Sequence, residues 1–207
     1  MARTEEWRMD GGWDEGGRAD GTGMADGKLN LTPSNMATTL EITSTYYQSP
    51  LGLLRVGGTD TYISEISFID RLEESEYRGA GLGGPVTPVV IQCIEQLIQY
   101  FQGQRRVFDF PISQEGTEFQ QSVWNELMAI PFGKTISYLE LSRRLGDTKA
   151  IRAAAAANGK NNIVIVVPCH RVIGSKRDLV GYGGGLWRKK WLLDHETKVQ
   201  WGVQTLF

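Results

Sequence analysis

From Tyr46 onward, apolar residues fall into short runs separated by turn residues. Leu51, Leu53, Leu54 and Val56 precede a Gly57-Gly58-Thr59-Asp60 turn, and Tyr62, Ile63, Ile66, Phe68 and Ile69 follow it. Two strands joined as a hairpin fit this spacing best. After a Gly/Pro loop from Gly79 to Pro88 the period changes. Val90, Ile94, Leu97 and Phe101 recur at helical spacing, with Ile91 and Ile98 broadening the stripe. Cys93 borders that stripe and reads as a small buried residue.

A second unit starts near Gly116. Thr117 with Gln120 forms a capping-box pattern ahead of Phe119, Val123, Trp124, Leu127 and Ile130, which predicts a helix that Pro131 and Gly133 close. Ser137 with Glu140 repeats the pattern and opens a short helix from Tyr138 to about Leu145, stopped by Gly146. Asp147 or Thr148 can cap a further helix from about Lys149 to Ala157, ended by Asn158-Gly159. Two short helices across a tight Gly-containing turn make a helix-turn-helix shape. The second is built almost wholly of alanine (Ala150 and Ala153 to Ala157), with Arg152 its one long projecting group. Either its backbone approaches another large object closely, or it packs in the core with Arg152 as a surface charge.

Ile163-Val164-Ile165-Val166-Val167 is a continuous apolar run and predicts a strand buried on both faces. Pro168 ends its pairing, so Cys169 is expected to emerge where rigid structure can aim a side chain into a pocket. Residues 1–36 differ from all this. They are rich in Gly, Asp and Glu and show no periodicity, which reads as a flexible tail.

Composition narrows the function classes. The 207 residues can bury one ordinary core or two small ones without crosslinks. The two cysteines, Cys93 and Cys169, and the lack of a secretory pattern favour a reducing, intracellular setting. No stretch is long and apolar enough to span a bilayer. His170 and His195 with two cysteines do not build a structural zinc spacing, so no metal is expected. The formal charge of −2 is unevenly spread: residues 1–40 carry −3, residues 41–132 carry −7 and residues 133–207 carry +8. A basic last third is the footprint of a polyanion partner, although a solvated Lys/Arg surface gives the same count.

A thiol with its usual pKa is mostly protonated at neutral pH, so a nucleophilic Cys169 needs a base or a positive environment. His170 can supply the base. Adjacent residues of an extended chain point apart, however, so a bend or a bridging water would have to connect the two. Glu196 is the candidate to orient the imidazole, on the helix that carries Trp187, Trp191, Leu192 and Leu193. A carboxylate near a helix C-terminus is disfavoured by the dipole, which suggests a purpose there; an exposed Glu is the plain alternative.

The run Pro168-Cys169-His170-Arg171-Val172-Ile173-Gly174, with Gly181-Tyr182, Gly184-Gly185-Leu186 and Leu192-Leu193-Asp194-His195-Glu196, closely resembles the O6-alkylguanine-DNA alkyltransferases (methylated-DNA–protein-cysteine methyltransferases). The likeness extends back through Phe119-Gln120, Val123-Trp124, Ser137-Tyr138 and Arg152-Ala153, and more weakly to Ser49-Pro50-Leu51-Gly52. It implies an α/β fold: an RNase-H-like N-terminal domain over residues 37–113, then a mostly helical winged helix-turn-helix alkyltransferase domain over 114–199 and a tail over 200–207. It also implies that Cys169 accepts the alkyl group, His170 acts as base through a water, Glu196 polarises His170, and Asn161 supports the turn leading to the active strand. Tyr138 would rotate a target phosphate and help protonate the departing guanine, and Arg152 would fill the gap left by a flipped base. Tyr138, Val172, Tyr182, Gly183 and Gly184 would line the alkyl pocket, and Asp147, Lys149 and Ala150 would meet DNA.

The implied activity is a single, irreversible transfer of an alkyl group from O6-alkylguanine to Cys169, with O4-alkylthymine left open as a second substrate. The partner would be double-stranded DNA entered by the minor groove, with no cofactor and no membrane. A monomer is expected, acting in the cytoplasm, at the nucleoid of a bacterium or in the nucleus of a eukaryote. Asn162, Ala155 and the Lys176-Arg177-Asp178 turn depart from common family residues, which bears on loop geometry and substrate range. The rivals are a lesion-binding protein without transfer activity, which Cys169 argues against, and a cysteine hydrolase using Cys169 and His170.

Overall fold

The computed structural model describes residues 41–71 and 86–202. The acidic segment 1–36, most of the Gly/Pro loop before Pro88 and the last residues of the expected C-terminal tail lie outside the described residues.

Strands β1 (Thr43–Ser49), β2 (Gly52–Gly58) and β3 (Ile63–Ile69) form an antiparallel sheet in that order. The expected hairpin is β2–β3, in register at Val56↔Ile66, and β1 adds a third strand that pairs Tyr47 with Leu54. Helix α1 (Pro88–Phe101) covers the sheet. Its buried face is Val90, Cys93, Gln96, Leu97 and Tyr100, which keeps Val90 and Leu97 of the expected stripe and is shifted by one residue at the other positions. Ile94 and Phe101 are only partly buried and Ile91 is exposed, while Cys93 is fully buried as anticipated. Leu54, Val56, Ile63 and Ile66 meet this face from the sheet, and removing such side chains from water is the main stabilising term.

The outer edge of β3 is covered by two single parallel bridges rather than by a strand. Ile63 pairs with Ile112, and Ile66 pairs with Ile163 through Ile66 N–H to Asn162 O (2.8 Å) and Val164 N–H to Ile66 O (3.0 Å). The N-terminal sheet thus holds, by backbone hydrogen bonds, the segment that leads to Cys169.

Helix α2 (Glu118–Met128) starts at the predicted capping box, with both reciprocal hydrogen bonds made between Thr117 and Gln120. Val123, Trp124 and Leu127 are buried, but Phe119 is 37 % exposed and lies off the core face. The short β4 (Ile136–Ser137) pairs in parallel with β5 (Val172–Ile173). Helix α3 (Tyr138–Arg144) is capped by Ser137, whose side chain accepts from Glu140 N. Helix α4 (Ile151–Gly159) begins later than expected and contains Asn158 and Gly159 rather than ending before them. Its N-cap is Ala150; Asp147 instead accepts from Lys149 N at 2.8 Å and shapes the preceding turn. Trp124 Nε1 donates to Ala157 O at 3.0 Å and pins the far end of α4 to α2.

The largest departure concerns residues 163–167. They are buried, as the apolar run required, but they form a tight turn and not a strand. Ile165 sits at φ 74°, in the left-handed region that a β-branched residue avoids at a cost of about 1–3 kcal/mol. Full burial of its side chain and the Val167 N–H to Ile163 O bond (2.9 Å) hold it there. Cys169 therefore opens a single 3-10 turn, Cys169–Arg171, instead of ending a strand.

Helix α5 (Leu186–Trp201) continues past residue 199, where the second domain was expected to close. Its buried face is Arg188, Lys189, Leu192 and Glu196, whereas Trp187 is 58 % exposed. No described helix is long and apolar enough to cross a membrane. Thr117→Ala removes one partner of an intact capping box, and urea unfolding should show a loss of about 1 kcal/mol.

Candidate active site

The floor of the site is set by the turn at 161–167. Asn161 folds back on it: its Oδ1 accepts from Ile163 N (3.0 Å) and its Nδ2 donates to Val167 O (2.8 Å). Gln114 braces the same corner by accepting from Asn162 N at 2.9 Å. Asn161 Nδ2 also donates to Cys169 Sγ at 3.1 Å, so the residue that shapes the turn holds the sulfur. Cys169 is only 4 % exposed, yet it lines a cavity of about 550 Å³. Tyr138, Arg152, Asn158 and Tyr182 line the same cavity.

Behind the sulfur lies a buried polar cluster centred on Glu196. The carboxylate accepts from five donor groups: His170 Nε2 (2.9 Å), Arg171 Nε (2.9 Å) and Nη2 (2.9 Å), Tyr100 Oη (3.0 Å) and Gly133 N (3.0 Å). Gly133 can present its N–H there because it adopts φ 70°, which glycine tolerates. Burial by itself would raise the Glu196 pKa, but the hydrogen bonds from His170 and Arg171 and the Arg171 charge outweigh it and hold the carboxyl well below the usual range. Arg171 is itself buried and gives its Nη1 to Ile130 O at 2.6 Å.

Burial decides the state of His170, with the Arg171 charge acting in the same sense. Arg171 already neutralises Glu196, and burial pushes the imidazole pKa down more than Glu196 lifts it, so His170 is neutral. With Nε2–H donated to Glu196, the lone pair lies on Nδ1, which is buried and has no protein partner among the described residues. The 3-10 turn removes the extended geometry on which opposite orientations of Cys169 and His170 were expected. No direct hydrogen bond links their side chains; among the described residues the thiol's side-chain partner is Asn161.

Burial raises the Cys169 pKa, against the Asn161 hydrogen bond and the nearby positive charge of Lys189, so the sulfur is a thiol at rest. Lys189 is fully buried and donates to Val172 O (2.7 Å), Val180 O (2.9 Å) and Gly181 O (3.2 Å). Burial pushes its pKa down to about 8, with Cys169 acting in the opposite sense. It ties β5 to the loop that forms one wall of the cavity.

Two family models match the chain: "6-O-methylguanine DNA methyltransferase, ribonuclease-like domain" over residues 42–114 and "6-O-methylguanine DNA methyltransferase, DNA binding domain" over 118–198. The methylated-DNA–protein-cysteine methyltransferase of Mycolicibacterium paratuberculosis is 42 % identical over 160 residues, which cover 77 % of this chain and 94 % of that one. The chain belongs to the 6-O-methylguanine DNA methyltransferase family. A crystal structure of the Mycobacterium tuberculosis O6-methylguanine methyltransferase superposes with a TM-score of 0.69 at 36 % identity, covering 81 % of this chain and 99 % of that one. The Mycobacterium tuberculosis OGT in complex with DNA gives 0.66 at 36 % identity, over 76 % of this chain and 93 % of that one. The fold is accordingly mixed α/β, a ribonuclease-like domain with a sheet followed by a helical DNA-binding domain.

The residues singled out in the sequence fall into three places. Cys169, Asn161, Tyr138, Tyr182, Gly183 and Gly184 line the cavity, and His170 and Glu196 lie behind it. Asp147 and Lys149 are exposed and Ala150 is partly buried on the approach to α4, with Arg152 exposed at the cavity mouth. Val172 does not line the cavity: it is fully buried in β5, and its carbonyl receives Lys189. Arg171, Lys189 and Asn158 had no role assigned from sequence. Asn158 donates toward Tyr138 Oη (3.3 Å) and Cys169 O (3.5 Å). The spacing of Lys189, Leu192 and Glu196 along α5 was the available signal, because polar residues at core-facing positions require partners.

Arg171→Leu removes a positive charge facing His170 and leaves Glu196 to stabilise the imidazolium, so the His170 pKa should rise. NMR titration of the imidazole measures this; an unchanged value would show that Arg171 does not set the charge balance. The same variant should lose about 3–5 kcal/mol in urea unfolding, because it strands a buried carboxylate.

Proposed function

We propose that the chain repairs DNA by moving an alkyl group from the O6 atom of guanine to Cys169, once per molecule. The observation that carries this reading is a cysteine sulfur on the floor of a base-sized cavity, backed by a neutral imidazole whose free nitrogen can take a proton.

In the proposed reaction His170 Nδ1 withdraws the thiol proton through a water molecule, and Glu196 stabilises the imidazolium that forms. Cys169 Sγ attacks the alkyl carbon; the S–C bond forms as the C–O bond breaks, and the electron pair leaves on the guanine oxygen. Tyr138, whose phenol lines the cavity, gives that guanine a proton and recovers one from solvent. The product is a thioether, which has no hydrolytic route back to a thiol, so turnover stops at one. A resting thiol suits this scheme, since the nucleophile is uncovered only when the relay operates.

An O6 substituent is inaccessible inside a duplex, so the nucleotide must leave the stack. The small side chains of α4 allow close approach to a minor groove, with Arg152 at the cavity mouth placed to occupy the gap. Lys149 and Ala150 continue that face, and Asp147 contributes by shaping the turn before it. The positive last third of the chain favours phosphates. The protein would act as a monomer wherever DNA is kept, and O4-alkylthymine is a further candidate substrate. A lesion-binding role without transfer is not favoured, because the relatives are named as methyltransferases.

Mixing the protein with a duplex that carries O6-methylguanine should add one methyl group to the Cys169 peptide, read by mass spectrometry, in a single stoichiometric burst. Continued turnover would favour a hydrolase, and tight binding with no added mass a lesion-binding protein. Arg152→Ala should slow reaction with the duplex at least tenfold more than reaction with free O6-methylguanine, by roughly the stacking value of one base. Equal losses would remove Arg152 from any role in extruding the nucleotide.

A further inference from the structure

Part of the cavity wall comes from the N-terminal sheet. Ser67 and Phe68, on β3, line the same cavity as Cys169. Phe68 reaches it across Gly184: a Cβ on that glycine would lie 2.6 Å from the Phe68 ring and 3.0 Å from the Tyr182 ring, so only glycine lets the three meet.

The ring is held from behind by Arg188. This guanidinium is buried between two aromatic rings, 4.4 Å from the centre of Phe68 and 4.6 Å from that of Trp187. Its Nε donates to Leu51 O (2.8 Å), its Nη1 to Gly184 O (3.0 Å) and its Nη2 to Asp70 Oδ1 (2.6 Å). One planar group thus locks the β1–β2 turn, the end of β3 and the glycine loop together. A lysine ammonium could not reproduce that fork or stack in the same way.

We propose that Phe68 is a specificity-determining wall of the alkyl pocket, held rigid by Arg188, and that it limits the size of the O6 substituent the site accepts. The proposal rests on the alkyl-transfer reading above. Its physical basis is that a pocket discriminates by size only where its walls cannot yield, and a ring braced by a buried guanidinium that donates from each of its three nitrogens cannot move without breaking several contacts. Arg188 acts through Phe68 and the loop and is therefore a positioning residue.

The test compares second-order rates of alkyl transfer to Cys169 from duplexes carrying O6-methylguanine or O6-benzylguanine. Phe68→Ala should raise the benzyl-to-methyl rate ratio roughly tenfold, the scale on which pockets sort substituents by size. Phe68→Trp should lower the ratio, and Arg188→Lys should move it in the same direction as Phe68→Ala. Both rates falling together at a constant ratio would reduce Phe68 to a structural residue and overturn the proposal. Should Phe68→Ala unfold, as circular dichroism melting would reveal, Phe68→Leu carries the same expected direction. A wild-type protein that gains no alkyl group on Cys169 would defeat the underlying function; one that gains it, with a ratio indifferent to residue 68, would defeat only the pocket wall.

Discussion

A single buried carboxylate organises this protein. Taking Glu196 out of water is costly, and the cost is met by donors drawn from three separate parts of the chain: α1 through Tyr100, the loop before β4 through Gly133, and the 3-10 turn through His170 and Arg171, all converging on α5. Because each donor must be in place, the carboxylate fixes how these elements meet. The same arrangement determines the chemistry. Burial, aided by the Arg171 charge that compensates Glu196, keeps His170 neutral with its Nε2–H committed to Glu196 and its other nitrogen available.

The N-terminal sheet takes part in the site as directly as the helical part does. The edge of β3 bonds to the segment that turns toward Cys169, and Phe68 on the same strand faces the cavity. Arg188 closes the other side, reaching from α5 to the turn between β1 and β2 and to the end of β3. On the helical side, the Trp124 hydrogen bond to Ala157 anchors α4, and Asn158 on that helix reaches both Tyr138 and the Cys169 backbone. The face proposed to meet DNA and the sulfur are therefore mounted on one rigid connection.

Much of the local structure was legible in sequence. Thr117 with Gln120 placed the start of α2, since a capping box is a contact between residues three apart and needs nothing from the rest of the fold. The β2–β3 hairpin was legible for a similar reason: its alternation and its glycine turn are short-range signals. The order of motifs around Cys169 was enough to recognise the family and to name Asn161, while His170 and Glu196 were already candidates from the needs of a nucleophilic thiol. What was misread has a common cause. Ile163 to Val167 announced burial, but an apolar run does not say whether the buried backbone is extended or turned, and the bridge to Ile66 together with Asn161 made it a turn.

The sequence by itself determined which segments are helical, the caps of α2 and α3, which residue is the nucleophile candidate and which family the motifs belong to, because these depend on neighbours along the chain. The tertiary structure alone decided that Arg171 and Lys189 are buried, that Val172 faces away from the cavity, that His170 is neutral and that a strand of the N-terminal sheet forms part of the pocket. Those outcomes depend on burial and on the balance of charge among groups distant in sequence. Both arise only when the segments pack together and water is excluded.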